Sequence, residues 1–200
     1  YHFINLHITT GKNIMTYHIH YYSDQVYRLD GILTPDECQH HIQSSEDLHY
    51  HEATINTGTE HILAKDIRDN DRVIIDSTDI AEKLWHRVKN YLPHIPEWSL
   101  YSLNERLRFY RYQNGQRFRW HRDGSYVRND HEASLITLIL YLNEDFSGGD
   151  TSFRFYDVKP KMGSALIFPH QIMHQGSAVT EGCKYVLRTD VMYQHNTKSE

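Results

Sequence analysis

Cysteine is scarce: Cys38 and Cys183 are the two in 200 residues, and no CxxC pair occurs. That excludes a disulfide framework and a structural zinc knuckle, and it fits a reducing, cytoplasmic compartment. Proline is also sparse, at five, and there is no Gly/Ser/Pro linker, internal repeat or low-complexity tract. One unit is therefore expected over 15–200, with a helical and strand support in 15–100 and a β core in 101–194. Long hydrophobic runs are missing too, the best being Leu135–Leu142 with Thr137 inside it, which excludes a helical membrane span. Lys and Arg number 21 against 26 Asp and Glu, so there is no polybasic character to suggest nucleic acid. The first Met is at position 15, and residues 1–14, without an apolar signal core, are read as upstream sequence with no role.

What the chain does hold is histidine, 16 residues of it, with 15 tyrosines. Composition cannot separate metal ligands from scattered imidazoles, so spacing has to decide. Tyr17 to Leu33 alternates as strand, and Thr34-Pro35-Asp36-Glu37 is a capping box that predicts a helix from about Pro35 to Ser45. Ile80, Leu84, Trp85, Val88, Tyr91 and Leu92 recur at helical spacing, with Pro93 as the stop. From Asn104 the texture becomes β-branched and aromatic, punctuated by Asn114-Gly115, Asp123-Gly124, Gly148-Gly149 and Met162-Gly163. Strands are expected at 105–113, 116–123, 134–143, 150–156, 163–168, 172–178 and 183–193. Such short, evenly spaced strands beside two early helices predict an α+β fold, a jelly roll flanked by N-terminal helices. The polar stretch Gly124–Ser134 is read as a candidate lid or a solvated loop.

His121-Arg122-Asp123 places an imidazole and a carboxylate on one face of a strand. Chance alone gives about one His-x-Asp at this composition, so the motif carries weight only with its setting. A second histidine region, with His170 and His174, supplies either as a third ligand. Two histidines and one carboxylate form a facial triad that leaves coordination sites open, which suits catalysis rather than a structural ion. Further on, Lys184 and Arg188 share a strand face, and either cation can meet the far carboxylate of a metal-chelating dicarboxylate. Tyr141 could add a hydroxyl donor.

The run Arg108-Phe-Tyr-Arg-Tyr-Gln-Asn-Gly-Gln-Arg-Phe-Arg-Trp-His121-Arg-Asp123, then Thr137-Leu-Ile-Leu-Tyr141-Leu-Asn143, Gly148-Gly149-Asp150-Thr151, and His174 followed by Gly182-Cys-Lys184-Tyr185, resembles the iron(II)/2-oxoglutarate dioxygenases of the prolyl 4-hydroxylase type. The likeness is strong over 103–193, and Leu33–Cys38 and Asn70–Val73 resemble bacterial members less specifically. It implies a double-stranded β-helix, with His121, Asp123 and His174 as iron ligands and His174 favoured over His170. It also implies Lys184 as the anchor of the 2-oxoglutarate (2OG) C5 carboxylate, helped by Tyr141, with Tyr112 near the cosubstrate. The implied cofactors are Fe(II), 2OG and O2, with ascorbate as a reductant. The implied reaction decarboxylates 2OG to succinate and hydroxylates an unactivated C–H, a prolyl residue in a peptide or protein being the family-weighted substrate. The Gly124–Ser134 loop and the Arg188–Tyr193 ending depart from the collagen-type enzymes and leave the substrate open.

Blander readings apply elsewhere. His18-x-His20 and His49-x-His51 are taken as structural or surface residues, and Cys183 as buried filler. Arg68, Asn70 and Arg72 read as a solvated connection more readily than as substrate contacts, and Trp120 is expected to pack on the opposite sheet face from His121. The rival functions are a non-catalytic cupin-like metal- or ligand-binding jelly roll and an oxygenase of a small metabolite or methylated nucleobase. A metallohydrolase ranks lower because no HExxH occurs.

Overall fold

A computed structural model of the chain describes residues 3–10, 13–56 and 60–196. The expected strands of the second half form, except that 150–156 splits at a turn into the hairpin Thr151–Phe153 and Tyr156–Val158, and they sort into two facing sheets. The larger sheet runs, edge to edge, through Phe3–Thr10, Asn13–Tyr21, Tyr27–Asp30, Ala165–Pro169, Glu132–Tyr141, Lys184–His195, Arg106–Tyr112, Asp71–Asp76 and His51–Glu52. The smaller sheet orders Phe118–His121, His174–Gly176, Thr151–Phe153 and Tyr156–Val158.

Both faces of the large sheet are covered, so the two-residue period of each strand divides core from site. Leu107, Phe109, Leu138, Leu140, Ile167 and Leu187 point to the side of two helices and pack with Leu33, Cys38, Ala81, Leu84 and Val88. Their alternates Tyr110, Tyr112, Tyr141, Leu166, Phe168 and Val186 point inward and pack with Phe153, Val158 and Val179. The polar members of that inward period, including Thr137, Lys184 and Arg188, are thereby aimed between the sheets.

Helix α1, Pro35–Asp47, begins with the full capping box, Thr34 accepting from the Glu37 N–H and Glu37 accepting from the Thr34 N–H. Glu37 also receives both terminal nitrogens of Arg87, tying α1 to helix α2, Thr78–Val88. The α-helix stops at Val88 rather than Leu92. Lys89–Tyr91 tightens into a 3-10 turn before Pro93, which cannot supply a helical N–H.

Three further expectations change. Gly124–Ser134 is not one loop, because Val127–Asn129 pairs back on the start of the Glu132–Tyr141 strand. Arg72, read with Arg68 and Asn70 as a polar connection, lies in the strand Asp71–Asp76, in register with Arg106–Tyr112. Residues 3–10 of the segment given no role pair antiparallel with Asn13–Tyr21.

Candidate active site

His121 ends its strand opposite His174, whose own strand also faces Phe153 across the small sheet. Asp123 follows two residues later, where its N–H donates to the His170 carbonyl at 2.9 Å. The three side chains bring one ligand atom each within 4.8 Å of one another, which no other group achieves among the described residues. Both imidazoles are oriented from behind: His121 Nδ1 lies 2.7 Å from the Arg119 carbonyl and His174 Nδ1 2.9 Å from that of Ile172. A proton on each Nδ1 leaves each Nε2 with its lone pair, 3.7 Å from an Asp123 oxygen.

Their charge states suit cation binding. Burial and the neighbouring His174 push His121 down to about 3, and burial likewise lowers His174, so both rings are neutral. Burial alone would raise Asp123, but the Arg188 guanidinium above all, with the Thr137 hydroxyl, holds it well below the usual carboxylate range. Arg188 Nη1 sits 2.7 Å from Oδ1, and Thr137 Oγ1 donates to Oδ2 at 2.6 Å. His170 is not in the cluster. It is buried behind it, with Nδ1 on Thr137 Oγ1 and Nε2 on Ser134 Oγ, and it steadies Asp123 at one remove.

A narrow cleft of about 40 Å³ leads inward from the triad, lined by Tyr112, Thr151, Lys184 and Arg188. Lys184, 3% exposed, stands opposite Tyr112 in register. Its Nζ donates to the Gly149 carbonyl at 2.5 Å and lies over the rings of Tyr112 and Tyr141. Gly149 takes φ +69°, and a Cβ there would press on Lys184 Cδ at 3.2 Å, so the turn that presents this carbonyl needs glycine. Burial pushes the Lys184 ammonium down to about 8. Tyr141 lies beneath it, wholly buried, with its hydroxyl engaged by Thr151 Oγ1 at 2.7 Å.

These residues fit the expected group. The donor set is two neutral imidazoles and one carboxylate, and the buried ammonium has three hydrogens for one protein acceptor, leaving donors for an incoming carboxylate.

Residues 107–189 match the family model described as the 2OG-Fe(II) oxygenase superfamily. Over this stretch, about two fifths of its length, the chain is similar to that superfamily. A PKHD-type hydroxylase of Acinetobacter baumannii is 29% identical to the chain over 86 residues, and the matched stretch covers 38% of each. The oxygenase fold is shared with the viral collagen prolyl hydroxylase of Paramecium bursaria Chlorella virus-1, solved as its 2OG complex. There the TM-score is 0.63 at 18% identity, covering 85% of this chain and 97% of that one. It is shared also with the prolyl hydroxylase of Trichoplax adhaerens in complex with a hypoxia inducible factor peptide fragment. That pair has TM-score 0.67 at 11% identity, over 87% and 84% of the two chains. The cofactors of this superfamily are Fe(II), 2OG and O2, and the double-stranded β-helix stands as expected. Among the described residues no helix is long and apolar enough to cross a membrane.

Outside the cleft the sequence reading missed two features. Trp120 does not pack on the far face but is 47% exposed, because its short strand lies at the edge of the small sheet. Arg68 and Asn70 are not solvated: they are 5% and 0% exposed, with Arg68 Nε donating to Asn70 Oδ1 at 2.7 Å. The Arg68 guanidinium stacks between Tyr110 and Phe118, each ring centre at 4.4 Å. Aromatic partners so distant in sequence leave no local signal near residue 68. His20 bonds Asp30 at 3.0 Å, consistent with its structural reading.

Proposed function

We propose that the protein is an Fe(II)- and 2OG-dependent dioxygenase that hydroxylates an unactivated C–H, with a prolyl residue of a peptide as the first substrate to test. The whole of 15–200 is proposed to work as one unit. The observation that carries this reading is the convergence of His121, Asp123 and His174 at the mouth of a cleft that ends on a buried lysine. Prolyl hydroxylases among the structural neighbours support the substrate class.

In this reading His121 Nε2, Asp123 and His174 Nε2 hold the iron, which supplies oxygen activation coupled to decarboxylation of 2OG. Lys184 meets the distal carboxylate of 2OG as a point charge, and Thr151 and Tyr112 line the passage between. Tyr141 supports Lys184 from below, while Arg188 serves Asp123 and is not the main anchor. Leu166, Phe168 and Val179, fully buried around the cleft, keep water out.

The test is anaerobic titration with Fe(II), then 2OG, following the weak visible charge-transfer band, in the wild type, Asp123→Ala and Lys184→Ala. A band that needs both additions and weakens in both variants supports the reading. Fe(II) binding without any band on adding 2OG would favour a non-catalytic cupin-like module instead.

A further inference from the structure

On the solvent side of the triad a second, larger cavity of about 620 Å³ opens, and six of its lining residues are Arg68, Arg72, Arg106, Arg108, Arg122 and Arg188. The same wall contributes one carboxylate, Asp123. This concentration is local, for the whole chain carries a net charge of −5. It arises from strand register: Arg72 lies opposite Tyr110, Ile74 opposite Arg108, and Arg108 opposite Arg188, all on the inward period of adjacent strands.

Not all six charges are free. Arg106 is paired with Asp76, Arg108 with Asp190, and Arg188 with Asp123 and Asp190. Arg122 lies at the exposed rim and donates to the Gln171 carbonyl. Arg68 and Arg72 differ, because among the described residues neither has a carboxylate within ion-pair distance. Arg72 donates to Thr54 Oγ1 at 3.1 Å, and among the described residues Arg68 Nη2 is buried with no hydrogen-bond partner. An unsatisfied guanidinium nitrogen in a residue 95% removed from water is costly unless a ligand completes it. The local potential is felt by Tyr110: burial should raise its phenol, yet Arg68, Arg188 and Arg108 bring it below its ordinary value.

We propose that this cavity is the substrate site and that it takes a substrate bearing an oxyanion, a carboxylate in particular, held by Arg72 and Arg68 while the C–H to be oxidised faces the triad. The proposal rests on the oxygenase reading above and specifies its substrate class. Two guanidinium forks match a planar carboxylate, and selection follows because a neutral isostere leaves both cations desolvated and unpaired. The carboxylate can come from a free amino acid or from an acidic side chain beside the reacting residue of a peptide.

Ligand-observed NMR on the full chain loaded with Zn(II) and 2OG tests this with two probe pairs. N-acetyl-L-proline is compared with its amide, and N-acetyl-Pro-Asp-amide with N-acetyl-Pro-Asn-amide. In at least one pair the acid should bind about tenfold or more tightly, and the preference should shrink as salt is raised. Preference in the first pair alone identifies a free acid, and in the second an acidic peptide. Arg72→Gln should abolish the preference and Arg72→Lys keep part of it, while Arg154→Gln, an equal loss of charge at a residue outside the cavity, should leave it intact. Equal binding within both pairs, no binding of either acid, or a preference that survives Arg72→Gln overturns the proposal. If those failures occur in a protein that still forms the Fe(II)–2OG band, only the substrate class is wrong. A preference in a protein that forms no band would instead sink the oxygenase reading.

Discussion

Arg188 Nη1 lies 2.7 Å from Asp123 Oδ1, and the same guanidinium reaches Asp190 at 3.2 Å. The cation that spacing alone offers as a cosubstrate anchor is thus engaged with the carboxylate of the triad. Asp123 is buried and the Arg188 side chain only 12% exposed, so their charges are interdependent. Asp123→Ala removes a proposed metal ligand and leaves Arg188 with Asp190 alone. We expect loss of Fe(II) binding by titration, and a metal-free protein less stable by about 3 kcal/mol in urea unfolding. Unchanged metal affinity would remove Asp123 from the triad.

Thr137 links that carboxylate to the histidine left outside the cluster. Its hydroxyl donates to Asp123 Oδ2, so it accepts from His170 Nδ1, and His170 Nε2 in turn accepts from Ser134 Oγ. Thr137→Val keeps the shape and deletes the bridge, and metal affinity should fall about tenfold, as for other residues that orient a ligand. Thr137→Ser should restore most of it. Calorimetric titration with Zn(II) or Co(II) reads the difference without relying on turnover.

Lys184 gives a pH dependence whose sign is fixed by its shift. Its folded value of about 8 lies below the ordinary 10.5 of a lysine, so burying the ammonium costs stability below pH 8. That cost is relieved as pH rises from about 8 to about 10.5. 2OG affinity should run the other way, weakening above pH 8 as the ammonium deprotonates. At pH 7, Lys184→Ala should weaken 2OG by about 10- to 100-fold, the worth of a hydrogen bond to a charged group. Lys184→Met should leave the metal-free protein more stable. Fluorescence-detected binding and thermal unfolding across pH 6–10 check both, and a flat 2OG affinity would unseat Lys184.

At the opposite face, the Arg87 guanidinium on Glu37, with help from the Thr34 N–H, holds its carboxyl down to about 2. A depressed carboxylate stabilises the fold fully above its unfolded value near 4.5, and that contribution is lost as pH falls through about 2. Glu37→Gln should therefore flatten the acid limb of the stability profile. Thr34→Ala, which deletes the cap, should cost about 1 kcal/mol at neutral pH. Both are read by circular dichroism melts.

The parts of the site that were legible in sequence are those set by local geometry. His121 and Asp123 two apart, Lys184 and Arg188 four apart on a strand, and the Thr34–Glu37 box needed only the strand period and helix-capping chemistry. Arg68, Asn70 and Arg72 were not legible, because their environment is made by Tyr110 and Phe118, some 40 to 50 residues onward. Trp120 misled for a related reason: alternation gives its face, but whether that face is covered depends on the position of the strand in its sheet.

By itself, then, the sequence determined the alternating strands, the capped helices and the pairing of His121 with Asp123 on one strand face, since each follows from spacing within one segment. Tertiary structure brought His174, which the family resemblance already favoured, and not His170 beside Asp123, and it alone placed Arg188 on Asp123 and Lys184 on Gly149 and gathered six arginines into one wall. Those outcomes depend on which strands pair and in what register. Register is a property of the closed sheet, in which one residue of slip would turn every inward side chain outward.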